Sequence, residues 1–581
     1  MGKINLAFIT LIVVLCTAFP CFAQTTNGKC GENVNYLYDF DTGHLSISGT
    51  GDMREYTENS VAPWYSFKNE IVSVNIESGV TSIGDYAFFY CNSLTGVTIS
   101  DSVKDIGNNT FYHCEALTSV TIPNSVECIG NEAFKFCTGL KEVTIPGNVK
   151  NIGNDAFSNC YFAEKDEDDN ILSESGLEKV IIEDGVETIG DYAFYMCEKL
   201  STIVLPDSVT GIGYWAFYDT GCYNEWWDGT DDMLYIGNHL ITVSQNKSNE
   251  CVVKPRTKTI ADYAFFYCNS LTGVTISDSV LSIGNHAFEN CNSLKNITIP
   301  KNVKNIGNEA FYTCFDLQSI NVDNDNTAYC SENGVLYNKE KTKIIRFPKE
   351  KAETSFTIPT GVTSIANGTF ENCQHLTSIT IPSGVVTIGN NAFENCNSLT
   401  TTAIPDSVTE IGVGAFSDCS KLASIAIPDG VPGICENTFY SCSSLTSITI
   451  PNSVLTIGNG AFEKCLKSIK VNYIGSKTDW DEITGDGKYI LTYYAKITYL
   501  SGISAKCSGD GKIVVKPINI DTGKTVILAI YDDNKFVGMQ SEIYNDTQIT
   551  FTPTQNYTYA KVMIWDSIDS VSPVCDAKIL E

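Results

Sequence analysis

The stretch "DYAFFYCNSLTGVTISDSV" at residues 85–103 is repeated letter for letter at 262–280. An active site is needed once, whereas a structural unit is needed many times, so the duplication points to a period. Alignment on phenylalanine reveals it. Phe88, Phe111, Phe134 and Phe157 are 23 residues apart, as are Phe194 and Phe217, then Phe265, Phe288 and Phe311, then Phe370, Phe393, Phe416, Phe439 and Phe462. The unit reads I-G-[ND]-x-A-F-x-x-C-x-x-L-x-x-V-x-I-P-x-x-V-x-x, and fourteen copies carry the Phe.

Each position of the unit has a physical reading. Val97 and Ile99 alternate with Gly96, Thr98 and Ser100, the pattern of a strand with one buried face. Pro123, Pro146 and Pro300 stop the equivalent strands, and Val103 and Ile106 turn inward on the return side. Asp85, Asn108, Asn131 and Asn154 are expected to cap a short helical turn, with Phe and Cys three apart on one face of it. Ala366 and Cys435 replace the Gly of the I-G pair, so that place calls for a small residue rather than a positive φ. One such unit cannot bury its own apolar face. Stacked copies can, through continuous ladders of Phe, Leu, Val and Ile. The predicted fold is an elongated, curved repeat solenoid with a parallel β-sheet.

The pattern "IGDYAF..C..L..V.IP" closely resembles the BspA-like (Treponema pallidum-type) leucine-rich repeats over about residues 70–470. That resemblance implies a leucine-rich-repeat superhelix on a secreted or surface protein, and adhesion to host proteins, host cells or other microbes. Residues 24–70 resemble the segment that leads into such repeats and are expected to cap the first rung. Residues 471–502 resemble the usual closing cap. Between them, repeats fill 71–470 with three insertions: an acidic loop at 161–176, and β-hairpins followed by a degenerate rung at 218–259 and 322–354. In those two rungs Cys251 with Val253, and Phe356 with Ile358, take the inward places. Residues 503–581, with "KIVVKPINI", "TVILAIYD" and "YAKVMIWD", read as a small β-sandwich-like domain.

The chain has 581 residues, with 38 Lys+Arg against 68 Asp+Glu, a net charge of −30. That sign argues against a nucleic-acid partner and against anionic membrane surfaces. A hydrophobic content of 43% suits a folded chain rather than an acidic disordered one. Residues 1–23, "MGKINLAFITLIVVLCTAFPCFA", read as a signal peptide cut after Ala23. The alternative, an uncleaved anchor, is disfavoured because the apolar run is short for a span. The expected mature protein is secreted or cell-surface associated, without membrane insertion.

Of 23 cysteines, thirteen are the Cys of F-x-x-C. Spread one per rung, they do not converge on a metal, and parallel inward side chains rarely adopt a disulfide torsion. They read as buried small hydrophobes. Cys507 and Cys575 frame the C-terminal domain, and whether they bridge is left open. His44, His113, His239, His286 and His375 sit in no catalytic or metal motif, and His113 and His286 are expected at the surface. The acidic runs Glu164–Asp169 and Asp323–Asn326 lack calcium-loop spacing. No catalytic constellation, cofactor site or metal site is expected.

One feature departs from the repeat. Most copies are polar around Ala-Phe ("NEAFKF", "NDAFSN", "NHAFEN"), but the middle ones are aromatic ("DYAFYM", "YWAFYD", "DYAFFY"). Tyr192, Tyr195, Tyr214, Trp215, Tyr218, Tyr263, Phe266 and Tyr267 are expected along one edge. The adjoining insertion adds Tyr223, Trp226 and Trp227, bordered by Asp228, Asp231 and Asp232. An aromatic patch with a charged rim suits an extracellular protein or glycan ligand; the competing reading is an insertion that folds over these rings and covers them. The outward Thr ladder (Thr98, Thr121, Thr144, Thr275) lacks such anchors. The resulting expectation is an exported non-enzymatic binding protein, an adhesin or interaction scaffold. The alternative is a carbohydrate- or cell-wall-associated accessory protein docked through its C-terminal β-domain.

Overall fold

The computed structural model describes residues 24–166, 171–247, 249–465 and 468–499, and beyond these the strands between Gly502 and Leu580. The predicted signal peptide at 1–23 and the side chains of Cys507 and Cys575 lie outside the described residues.

The repeats form a parallel β-solenoid of the leucine-rich-repeat type. Each turn contributes one main strand and a two-residue return strand. Main strands Ser73–Ile76, Gly96–Ile99 and Ser119–Val120 pair in parallel, and so do return strands such as Asp105–Ile106, Cys128–Ile129 and Asn151–Ile152. The register step is one whole period, so Ile106 pairs with Ile129 and Val74 with Val97. Like residues therefore stack on like.

The Phe ladder is the centre of the core. From Phe88 through Phe111, Phe134, Phe157 and Phe194 to Phe217, ring centroids are 5.2, 5.1, 5.0, 5.4 and 5.4 Å apart with nearly parallel planes. A second ladder runs Phe265–Phe288–Phe311 at 4.7 and 5.6 Å, and a third continues from Phe370 to Phe462. The hairpin at 161–176 leaves the stacking intact; the breaks coincide with the two longer insertions. The Cys residues line the same interior. Cys114, Cys137 and Cys160 donate S–H to the carbonyls of Phe88, Phe111 and Phe134 at 3.3, 3.2 and 3.2 Å. A side chain that is small, apolar and still a donor fits this place better than Ala. The described cysteines are free thiols, and burial pushes Cys91 up to about 12, which makes it unreactive.

The turn before each Phe differs from the sequence expectation. It is not helical. Residues two before and two after the Phe adopt left-handed φ, as in Tyr86 (55°) and Tyr90 (58°), Asn109 (54°) and His113 (57°), Glu132 (56°) and Phe136 (61°). Each costs about 1–2 kcal/mol in a non-glycine residue. The left-handed residues turn every second N–H of the segment toward the next rung, and the gain is a ladder. Tyr86, Phe88 and Tyr90 donate to Asn108, Thr110 and Tyr112 carbonyls of the next rung at 2.9, 2.8 and 2.9 Å. The expected caps serve the same end. Asp85, Asn108 and Asn131 accept from the backbone N–H of Asn108, Asn131 and Asn154 at 2.6, 2.8 and 2.8 Å, tying rungs together rather than closing their own turn. Crowding favours Gly in I-G, since a Cβ on Gly107 would stand 2.7 Å from the Asp85 nitrogen, although Ala366 and Cys435 are accommodated in other rungs.

The insertions are more ordered than their composition suggests. Residues 161–176 are not a loop; Tyr161–Lys165 and Ile171–Gly176 pair as an antiparallel hairpin. The second insertion opens with a helix the sequence reading missed, Gly221–Trp227, N-capped by Thr220. The hairpin Met233–Ile236 and His239–Val243 follows, and its second strand joins the return sheet beside Thr259–Ile260. The third contains three strands, of which Lys343–Arg346 pairs with Ser364–Ile365. Cys251, Val253 and Ile358 are buried, whereas Phe356 is only half-buried against Phe347 and Phe370. Neither His113 nor His286 is a free surface residue: both are half-buried, His113 stacked between Tyr90 and Phe136 and His286 with Nδ1 2.8 Å from Glu289.

Both ends of the solenoid are covered. Trp64 stacks on Phe88 at 5.6 Å, and its indole N–H donates to the Ala87 carbonyl at 2.7 Å. It thereby replaces the rung that would otherwise bond there. At the other end, helices Lys477–Glu482 and Gly487–Tyr494 bury Trp480 and Leu491 against the last rung. The strands that follow form antiparallel sheets, Gly502–Cys507 with Ile513–Ile518 and Ile549–Phe551, and a four-stranded set including Thr525–Asp532. Because the last rung is already covered, removing residues 500–581 should leave a soluble chain with its strand signal in circular dichroism. Aggregation of that truncation would mean that the cover lies further along the chain.

Candidate binding site on the turn edge

The left-handed turns throw the residues flanking Ala-Phe out along one edge. In the middle rungs these side chains are rings in continuous contact. Tyr192 meets Tyr195 and Tyr214 at 5.4 and 5.5 Å. Tyr214 meets Trp215 at 4.6 Å and, across the break, Tyr263 at 4.4 Å. Trp215 stacks on Tyr218 at 4.6 Å, and Tyr218 reaches Tyr223 on the inserted helix at 4.8 Å.

A pocket of ≈ 360 Å³ opens between this edge and the insertion. Trp215, Tyr218, Tyr223, Trp226, Trp227, Tyr263 and Phe266 line it. Tyr192, Tyr195 and Tyr214 do not; they extend the aromatic surface on one side. Tyr267 also lies outside the lining, exposed and 4.4 Å from Phe266. The insertion forms a wall, not a cover. Tyr223 and Trp226 pack partly against the core, but Trp227 remains 66% and Trp215 39% exposed. The Trp226 indole N–H is buried without a hydrogen-bond partner among the described residues.

The polar groups of the pocket include two carboxylates, Asp219 and Asp262, together with Asn224, Thr242 and Gln245. Asp262 is held in the side-chain ladder, accepting from the Asn285 backbone N–H at 2.7 Å and its Nδ2 at 2.8 Å. Burial raises its carboxyl above the ordinary value, opposed by those hydrogen bonds. Burial likewise pushes the Tyr223 and Tyr263 hydroxyls up to about 12, so both are neutral donors at physiological pH.

The same edge carries a second belt that sequence reading passed over. Phe89 stacks on Tyr112 at 5.0 Å, Tyr90 on His113 at 4.7 Å, and His113 on Phe136 at 4.3 Å. Its signal was available in "DYAFFY" at 85–90, identical to the copy at 262–267.

A stacked parallel solenoid with a buried Phe ladder and a variable outer edge is a repeat scaffold of the leucine-rich class. The chain belongs to the family described as the BspA type leucine rich repeat region (6 copies), which matches residues 63–166, 165–250, 258–355 and 346–469. No curated protein matches the chain. Similar solved structures include a leucine rich cell surface protein from Faecalibacterium prausnitzii, 26% identical over 81% of this chain and 99% of that one, with a TM-score of 0.41. A leucine-rich repeat protein from Bacteroides ovatus is 26% identical over 81% and 98%, with a TM-score of 0.27. The pneumococcal vaccine antigen PcpA is 15% identical over 82% and 98%, with a TM-score of 0.35. Among the described residues no helix is long and apolar enough to cross a membrane.

Proposed function

We propose that this chain is an exported, non-enzymatic binding protein, an adhesin or interaction scaffold, which captures an extracellular protein or glycan on its aromatic turn edge. One observation carries the reading. Consecutive rungs and an insertion contribute rings to a single open pocket, where most sibling rungs carry Asn, Glu and Lys. Trp and Tyr bury large areas at small cost in side-chain entropy, which is why they dominate binding hot spots. Membership of the BspA type leucine rich repeat family, whose stacked rungs present an extended surface, supports the same reading.

The test uses the full chain on arrays of extracellular-matrix proteins and glycans. Substituting Trp215, Trp226 and Trp227 together by Ala should weaken binding by a few kcal/mol while the distant repeats at 370–465 stay folded. A water-soluble quencher should reach Trp227 in the free protein and lose access when a bound partner is present. Undiminished binding by a folded triple variant would place the contact surface elsewhere. The antiparallel sheets after residue 502 favour a second reading, an accessory protein docked on carbohydrate or cell wall through that region. The 500–581 truncation separates the two: it removes docking but spares capture at the turn edge.

A further inference from the structure

The geometry points to a cation as the occupant of the aromatic pocket: the side chain of a lysine or arginine presented by a basic segment of an extracellular protein. This rests on the reading of the turn edge as the binding surface and names the chemistry it selects.

The lining combines ring faces with the carboxylates of Asp219 and Asp262 and contains no Lys, Arg or His. Ring faces carry negative quadrupole potential and attract an ammonium or guanidinium, the more so where water is partly excluded. A neutral sugar would also stack on the rings and donate hydroxyls to the two carboxylates, but only a cation offsets their charge. An anionic partner would be repelled by them. The nearest basic ring, His286, stacks on Tyr263 at 4.7 Å from the following rung and is engaged by Glu289, outside the lining.

The molecule supplies its own precedent on the same edge. Lys68 sits over Tyr90 at 5.2 Å, Lys135 near Phe136 at 5.9 Å, and Lys464 over Tyr440 at 4.7 Å. Three rings at these turn positions thus receive a lysine from within the chain. Among the described residues, Trp215, Tyr218, Tyr223 and Tyr263 receive none. A protein segment rather than a lone small cation fits the surroundings. Acidic side chains continue past the mouth through Glu225, Asp228 and Asp231, all exposed, and the chain as a whole is at −30. Such a field steers a basic segment toward the pocket.

Two substitutions remove charge with little change of shape. Asp262→Asn keeps the ladder, because Asn already fills that place at 108, 131 and 154 and makes the same bond. Asp219→Asn touches no ladder bond. The experiment titrates the full chain with hexalysine, hexaglutamate, maltohexaose and tetramethylammonium, reading the heat of binding by calorimetry at two salt concentrations. Hexalysine should bind, weaken steeply with salt, and lose about tenfold in affinity with either Asp→Asn variant. Glu410→Gln, an equal charge change on a distant exposed site, should leave it unchanged. The Trp215, Trp226 and Trp227 triple Ala variant should lose binding.

Each contrary outcome overturns a distinct statement. If maltohexaose binds and hexalysine does not, the cation assignment fails and the turn-edge reading stands. If hexalysine binds the triple Ala variant as well as the parent, or Glu410→Gln matters as much as Asp219→Asn, the attraction is diffuse and the pocket is not the site. If tetramethylammonium saturates as tightly as hexalysine, the pocket takes a free small cation and the protein-segment assignment fails.

Discussion

Phe288→Ala should destabilise the chain by about 3–5 kcal/mol, seen as a fall in urea midpoint of the order of 1 M. Phe288 is fully buried, with Phe265 on one face at 4.7 Å and Phe311 on the other at 5.6 Å. It is the centre of the shortest ladder, so its removal leaves two rings each with an empty face. The backbone bonds from Phe288 N–H to Ala310 and from Cys314 Sγ to the Phe288 carbonyl do not depend on the ring. They hold the rung open rather than letting it collapse into the cavity, which places the cost at the upper end of the range for such truncations. In a solenoid each rung contacts only its neighbours, so hydrogen exchange should accelerate around Phe265 and Phe311 and change little at 393–439. Thr298→Ala, on the exposed side of the adjacent strand, should stay within about 0.5 kcal/mol. A midpoint shift below about 0.3 M for Phe288→Ala would contradict the ladder as the source of stability.

The sequence made this ladder legible because Phe, the small residue of I-G and, in all rungs but that of Phe217, Cys are imposed by the interior. An interior constraint repeated fourteen times survives as a pattern. The turn was misread for the opposite reason. Its left-handed positions hold Tyr86, Glu132 and Met196 as well as Asn109, Asp155 and Gly368, since a backbone bond to the next rung stabilises whichever residue stands there, and the Asn, Asp and Gly that favour this conformation are diluted among residues that do not. Asn at 108 and 131 did leave a mark, but the acceptor it offers serves the neighbouring rung rather than its own, a distinction that spacing alone does not encode. The hairpin at 161–176 was hidden by its acidic composition. The helix Gly221–Trp227 was hidden by its brevity, although Thr220 was a legible cap. The aromatic edge was visible as an exception to the repeat. The pocket was not, because it depends on where the inserted helix comes to rest.

Two glutamates in one cluster should give opposite results when neutralised. Glu371 is fully buried where the third insertion meets the following repeats, with Oε2 2.9 Å from Arg346 Nη2 and 2.9 Å from Lys349 Nζ. Arg346 also donates to the Gly368 carbonyl, and Lys349 lies over Phe315 at 4.7 Å. Glu371→Gln leaves two buried cations facing each other and should cost about 3–5 kcal/mol at pH 7. Burial, reinforced by the charge of Arg346, already lowers Lys349 from 10.5 to about 8. Between those two pH values the unfolded chain holds more protons than the folded one, so stability from this group rises with pH across that window. Losing the Lys349 proton relieves the repulsion, and the deficit of Glu371→Gln should therefore shrink between pH 7 and pH 9. Glu394 has the reverse problem. Burial, then the charges of Glu371 and Asp418, raise its carboxyl from 4.5 to about 7. Its folded form keeps the proton more tightly than the unfolded chain, so its contribution is present below about pH 4.5 and is lost as pH rises through 7. Glu394→Gln makes the neutral form permanent and should raise the urea midpoint at pH 8 while leaving it unchanged at pH 4.5. Equal signs for the two substitutions at pH 8, or a Glu371→Gln deficit independent of pH, would show that the cluster is not organised around a carboxylate shared by Arg346 and Lys349.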